Sequence, residues 1–192
     1  MISPLGDKIP RVSEKAYIHP SAEIIGDVHI SDNVWVGPNV SLRGDVGSIE
    51  IMEGSNVQDG VIVHSFPDRM TRVEKNAHIG HGAILHGCKV EENVLIGIRS
   101  TILDGTTIPS NTIIGAHSLV VANSKLEPFS LYFGCPAKWQ RRLSKDEVSW
   151  IKSGVNVYKQ LVKLYTIQKN SNQWLDIEFI HTFKPDTKNS KL

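Results

Sequence analysis

Only two cysteines, Cys88 and Cys135, occur in 192 residues. That is too few for a disulfide framework, and each is expected to fill a small buried position. Charge of one sign is also missing. Lys and Arg total 21 against 20 Asp and Glu, a formal net charge of +1. No strong field exists to recruit nucleic acid or an anionic membrane surface. No segment approaches the roughly 18 consecutive apolar residues of a membrane-spanning helix. The opening MISPLGDKIPRV carries Pro4 and Asp7 where a secretory signal needs an apolar core. The expected location is the cytoplasm. What remains is ordinary soluble-protein composition, 40% hydrophobic and 21% charged.

The informative property is a period. Val12, Ile18, Ile24, Ile30, Val36 and Leu42 stand six apart, and Ala16, Ala22, Val28, Val34, Val40 and Val46 follow each by four. The pattern returns at Ile51 and Val57, with Ser55 and Val61, and at Val73 and Ile79, with Ala77 and Ala83. After a slip of one residue it continues through Ile84, Val90, Ile96, Ile102, Ile108, Ile114 and Val120. Helices repeat at 3.6 and half-buried strands at 2. Six satisfies a strand locally and allows a bend after each hexad, so three hexads close one triangular coil. Stacked coils superimpose aliphatic residues in a continuous core. The prediction is an all-β solenoid, a parallel β-helix of hexapeptide repeats, over residues 1–125. Gly26, Gly37, Gly80, Gly97 and Gly115 fall at or beside the bends, where positive φ is expected.

The period breaks between Leu42 and Ile51 and between Val63 and Val73. Both insertions are expected to be extruded as loops on a functional face. Residues 126–143 read as an extended connector. Ser144 and Glu147 then form a capping box. Val148, Ile151, Val155, Tyr158, Val162 and Tyr165 follow at helical spacing, so a C-terminal α-helix is predicted over 144–170. Its stripe would pack on the solenoid or on a neighbouring subunit. Residues 171–192 end in a polar tail, in which Trp174, Ile177, Phe179 and Ile180 could dock.

HIGHGAILHGC, residues 78–88, concentrates three histidines. With His64 it offers His81 and His86 as metal-ligand candidates. Three neutral imidazoles and an open position make a catalytic zinc arrangement. The residues alone leave this reading open against polar side chains on a solvated face. On a triangular coil, one chain need not bring all three together, whereas two facing subunits could, one supplying His81 and the other His64 and His86. His78 is expected to face solvent or to sit behind the ligands. His19, His29, His117 and His181 stand apart.

Arg43–Asp45 (RGD), Asn56–Asp59 (NVQD), His64, the IGH ending at His81 and His86–Cys88 (HGC) occur in that order within the hexads. This set resembles the γ-class carbonic anhydrases, over about residues 10–165. Gly134–Lys138 (GCPAK) and the capped helix fit the same resemblance. HIGHGAILHGC, the RGDVG stretch and HSFP are closest to the branch found with phenylacetic-acid degradation and carnitine metabolism. The resemblance implies a left-handed β-helix, a homotrimer, and a metal at each subunit interface. Its ligands would be His64, His81 and His86. Zinc is implied, with iron or cobalt also suited to imidazole ligands. Arg43 and Asp45 would form an interfacial network, Gln58 would orient solvent or substrate, and Tyr158 would stand near the site. The implied reaction is attack of metal-bound hydroxide on CO2, giving bicarbonate. Two departures stand out. Val46 replaces the glutamate that follows R-x-D, and the loop after His64 holds Asp68 as its only acid. The usual proton shuttle is therefore missing. Hydrolysis of small acyl-CoA thioesters at the same metal site is the first alternative. A metal-free hexapeptide acyltransferase using His117 or His64 is another, and a non-catalytic trimeric scaffold is a third.

Overall fold

The computed structural model describes residues 1–171, with side chains described through 167. Trp174, Ile177, Phe179, Ile180 and His181 lie outside the described residues. The chain forms a left-handed parallel β-helix of about seven turns followed by one helix. Each turn has three short faces. The first carries Ser41–Gly44, Ile62–His64, Ile84–His86, Thr101–Ile102 and Leu119–Val120 in parallel register. The second carries Ser48–Ile51, Met70–Val73, Lys89–Val90 and Thr107–Ile108. The third carries Tyr17–Ile18, Trp35–Val36, Asn56–Val57, His78–Ile79, Leu95–Ile96 and Ile113–Ile114.

The hexad is the cause of this shape. One aliphatic residue per face points inward and stacks on its equivalent a coil away. Ile24, Ile30, Leu42, Ile51, Leu85, Ile96, Ile102, Ile108 and Ile114 are fully buried in one cluster. Ser55, Ser100, Thr106, Thr112 and Ser118 are buried at the small positions. Ser55, Ser100 and Thr106 spend their hydroxyls on backbone carbonyls of Glu74, Gly115 and Val121, so these polar positions carry little burial cost.

The corners differ from expectation in one respect. Positive φ falls on a separate series, which includes Asn33, Asn39, Gly54, Gly60, Asn76 and Gly82. From Gly87 it continues through Asn93, Arg99, Gly105, Asn111, His117, Asn123 and Phe129, six apart throughout. Of the five glycines singled out from sequence, only Gly26 has positive φ. The others answer to space. A Cβ on Gly80 would lie 2.6 Å from the Ile96 carbonyl oxygen, and one on Gly97 would lie 2.6 Å from that of Ile114.

Three further expectations are corrected. The first insertion is not a loop, because Ser41–Ile51 runs as one strand. Its register jumps from Gly26↔Gly44 to Val28↔Ile49, so residues 45–48 stand against Asp27 alone. Val46 consequently points out, 44% exposed, instead of into the core. The frame slip also lies later than the period suggests. Ile84 is 38% exposed and Leu85 is the buried residue, so the short side is Leu85 to Val90. It contains His86, Gly87 and Cys88. Residues 126–143 are not merely a connector, since Ser130–Gly134 extends the third face and Ala137–Arg142 pairs back antiparallel. Cys135 lies exposed in the intervening turn, where none of the described residues packs over it, while Cys88 is buried as expected. Burial pushes the Cys88 thiol up to about 12, so it is an inert filler.

The helix spans Lys145–Ser171. Its capping box forms, with Glu147 N–H donating to Ser144 Oγ at 3.2 Å and Ser144 N–H to Glu147 Oε2 at 2.8 Å. Arg141 adds a two-pronged pair to the same carboxylate at 2.8 and 2.9 Å. Ile151, Val155 and Val162 are buried against the solenoid, with Tyr17 and Trp35 forming an aromatic patch beneath Tyr158 and Tyr165.

Candidate metal centre

His64 and His86 end adjacent strands and are register partners. His64 Nδ1 lies 3.1 Å from His86 Nε2. Each ring has a carboxylate behind it. Asp45 Oδ1 is 2.9 Å from His64 Nε2, and both Asp104 oxygens are 2.9 Å from His86 Nδ1. An ionised carboxylate only accepts, so it places the ring proton on the nitrogen facing it. In each neutral ring the other nitrogen is then a bare lone pair. Two lone pairs therefore face each other, an arrangement that repels unless a cation sits between them. Two imidazole nitrogens on one tetrahedral zinc, each bound at about 2.0–2.1 Å, stand roughly 3.4 Å apart. The pair and its carboxylates thus fit a metal, in the carboxylate–histidine arrangement that fixes ligand tautomers.

Asp45 is itself held in place. Partial burial pushes its carboxyl up, but hydrogen bonds from His64, Arg43 and the Val46 N–H outweigh this and hold it at about 2. Its reach to His64 depends on the bulge at 45–48, which carries Asp45 to the corner. Asp104 depends on Gly87. That residue has φ +55°, and a Cβ there would collide with the Asp104 carboxylate. Phe66 closes over the pair with its ring edge-on to His86 at 4.7 Å.

His81 is elsewhere. It follows the third-face strand His78–Ile79 by two residues, at the corner leading into the first face, whereas His64 and His86 end the first face at the next corner. Its Nδ1 is 3.0 Å from Asp59 Oδ2, again a carboxylate, which leaves Nε2 for a ligand. Both side chains are about half exposed. Among the described residues no group of three metal-ligating side chains forms within one chain.

Gln58 and His81 line one cavity of about 850 Å³, floored by Gly80, Gly97 and Gly115 and walled by Phe133 and Trp150. Tyr158 lies half-buried on Trp35 and His78, with ring centroids 5.2 and 6.2 Å away. Burial and then the Asp59 charge push its phenol up to about 12. It belongs to the His81 half of the chain and touches neither His64 nor His86. His78 does not face solvent. It is 5% exposed because the helix covers it, with Gly154 packed on the ring. Asp104 escaped the sequence reading. It stands 18 residues after His86, one more than the 17-residue coil that pairs Leu85 with Ile102, so the shortened side hid it.

Residues 87–122 match the model of the bacterial transferase hexapeptide (six repeats) family. The carnitine operon protein CaiE of Escherichia coli K12 is 44% identical over 154 residues, 80% of this chain and 79% of CaiE. The chain belongs to the CaiE family of hexapeptide-repeat proteins. Two solved structures show the same fold. A putative acetyltransferase from Bacillus cereus has a TM-score of 0.84 at 34% identity, covering 85% of this chain and 95% of its own. A hexapeptide transferase family protein from Anaplasma phagocytophilum has a TM-score of 0.82 at 32% identity, covering 85% and 96%. The CaiE match is longer than the stretch matched by the repeat model, which begins only at Gly87. No helix among the described residues is long and apolar enough to cross a membrane.

Proposed function

We propose that this CaiE relative is a metal-dependent, γ-carbonic-anhydrase-like enzyme that works as a homotrimer and interconverts CO2 and bicarbonate. The observation that carries this reading is the facing ring nitrogens of His64 and His86, 3.1 Å apart, each ring with a carboxylate behind it. His81 of a second copy would complete the set, because a single chain holds it at another corner. A bound zinc, iron or cobalt ion would act as a Lewis acid and lower the pKa of coordinated water toward neutrality.

The chain's own groups have separate tasks. Asp45 and Asp104 keep protons on the outer nitrogens of His64 and His86, so the inner ones stay available. Arg43 holds Asp45 ionised and aimed. Gln58 presents an amide to the cavity in which substrate would bind. Phe66 limits water access on the His86 side.

A second reading rests on the cavity itself. Its volume of about 850 Å³ and apolar walls exceed what CO2 needs and suit an acyl group. The loop after His64 also offers only Asp68 for proton export. Hydrolysis of small acyl-CoA thioesters at the same centre accounts for both features.

The test is metal content per chain in wild type and His81→Ala, measured with oligomeric state. Wild type is expected to hold about one metal per chain, and the variant to lose it while remaining assembled. A trimeric but metal-free wild type would falsify both metal-dependent readings and favour the acyltransferase or scaffold. Given metal, CO2 hydration against a panel of aryl- and crotonobetainyl-type CoA thioesters separates the two.

A further inference from the structure

We propose that His78 is a positioning residue that fixes which end of the Gln58 amide faces the cavity, acting through Asn56 from an anchor in the C-terminal helix. His78 Nε2 lies 2.9 Å from the carbonyl oxygen of Ile151. His78 Nδ1 lies 2.9 Å from Asn56 Nδ2. Gln58 Nε2 lies 2.9 Å from Asn56 Oδ1.

The direction of this chain follows from the one member that cannot change roles. A backbone carbonyl only accepts, so His78 carries its proton on Nε2. A neutral ring then has a bare Nδ1, which needs a donor. Asn56 must therefore turn its NH2 toward His78 and its oxygen toward Gln58. Gln58 must in turn donate its NH2, and its Oε1 is the end left for the cavity it lines. Each amide alone could flip at little cost. Anchored to Ile151, neither can flip without leaving a buried donor or acceptor unmatched. Burial supports the neutral ring by lowering the His78 pKa, against the opposing pull of the Ile151 carbonyl. Asn56 is itself fully buried, so water is not a substitute partner. The helix thus reaches the site by a three-bond relay although its described side chains stay away from His64 and His86. A hydrogen-bond acceptor at this point would receive a proton-bearing group, such as a coordinated water or the N–H of a thioester carrier. What Gln58 acts on rests on the proposed function, while its orientation does not.

Selective histidine and glutamine 15N labelling of the full-length protein tests the relay. His78 is expected as the Nε2–H tautomer with a slowly exchanging ring proton, and the Gln58 side-chain amide as a shifted, protected pair. In His78→Leu the Gln58 amide should lose its protection, and kcat for the turnover assay should fall on the order of 10- to 100-fold with KM and metal content unchanged. His78→Gln, which can offer an oxygen to Asn56 and an N–H to Ile151, should restore most of both. An Nδ1–H tautomer or an imidazolium at His78 overturns the proposal, as does an unmoved Gln58 amide in folded His78→Leu. If His78→Leu does not fold, the wild-type tautomer and His78→Gln still decide. A metal-free wild type with the expected tautomer sinks the proposed function and leaves the relay standing. A metal-loaded protein with the wrong tautomer does the reverse.

Discussion

Residues 90–123 and residues 42–89 obey the same repeat, but only the second stretch departs from it. In the first, left-handed corners recur every six residues and one aliphatic side chain per face enters the core. Of the groups gathered at the histidine pair, only Asp104 comes from it. In the second, three departures fall within two coils: the bulge at 45–48, the loop after His64 and the short side at His86. Each places a group of the candidate site, namely Asp45, Phe66 and His86. A regular solenoid turns every side chain either wholly inward or wholly outward. Breaking it is how side chains are aimed along the corner, toward one another.

The sharpest way to separate the two stretches is to remove one residue from each. His86→Ala should abolish metal binding outright while leaving the melting temperature close to that of metal-free wild type, since His86 packs at the surface. Ile96→Ala should cost about 2–5 kcal/mol of stability, because a fully buried aliphatic leaves a cavity between coils. Its metal content should survive at temperatures where it remains folded. If Ile96→Ala loses metal while folded, the regular stack is not the passive support described above. Titration of Asp104→Asn with zinc should show affinity lower by about 10- to 100-fold, the usual effect of losing a carboxylate behind a ligand. Unchanged affinity would mean that the His86 tautomer is set by something else.

The smallest effect lies outside both stretches, at the helix start. The hydrogen bond from Arg141, offset in part by burial and aided by Ser144, holds the Glu147 carboxyl down at about 2. A folded-state value below the ordinary 4.5 means stability that is full above 4.5 and lost as pH falls toward about 2. Wild type should therefore exceed Glu147→Gln in thermal stability at pH 6 by about 1 kcal/mol or less, since the pair is solvent-screened. The gap should close by pH 2. A gap independent of pH would assign the effect to the cap's geometry instead of its charge.

The solenoid was legible because its period depends on local chemistry: Ile24, Ile30, Leu42 and their successors must be aliphatic wherever the corner turns. The capping box was legible for the same reason. Ile84 misled because two aliphatics stand side by side, and only the register Leu85↔Val63 tells which one enters the core. Val46 misled because a bulge has no signature in a hydrophobic pattern. The histidine pair could be guessed as a set, yet its facing nitrogens depend on Asp45 and Asp104, each about one coil away in sequence. Of the two places expected for His78, the solvent-facing one fails because its burial comes from the helix, 73 residues further on.

The face that separates His81 from the His64–His86 pair has a genetic consequence. If the centre is shared between copies, each gene product carries two halves of different centres and no whole one. A His81→Ala allele and a His86→Ala allele would each be null alone. In any mixed ring of three, one junction joins the intact pair of the first to the intact His81 of the second. Two silent alleles would then restore one centre in three in every mixed ring.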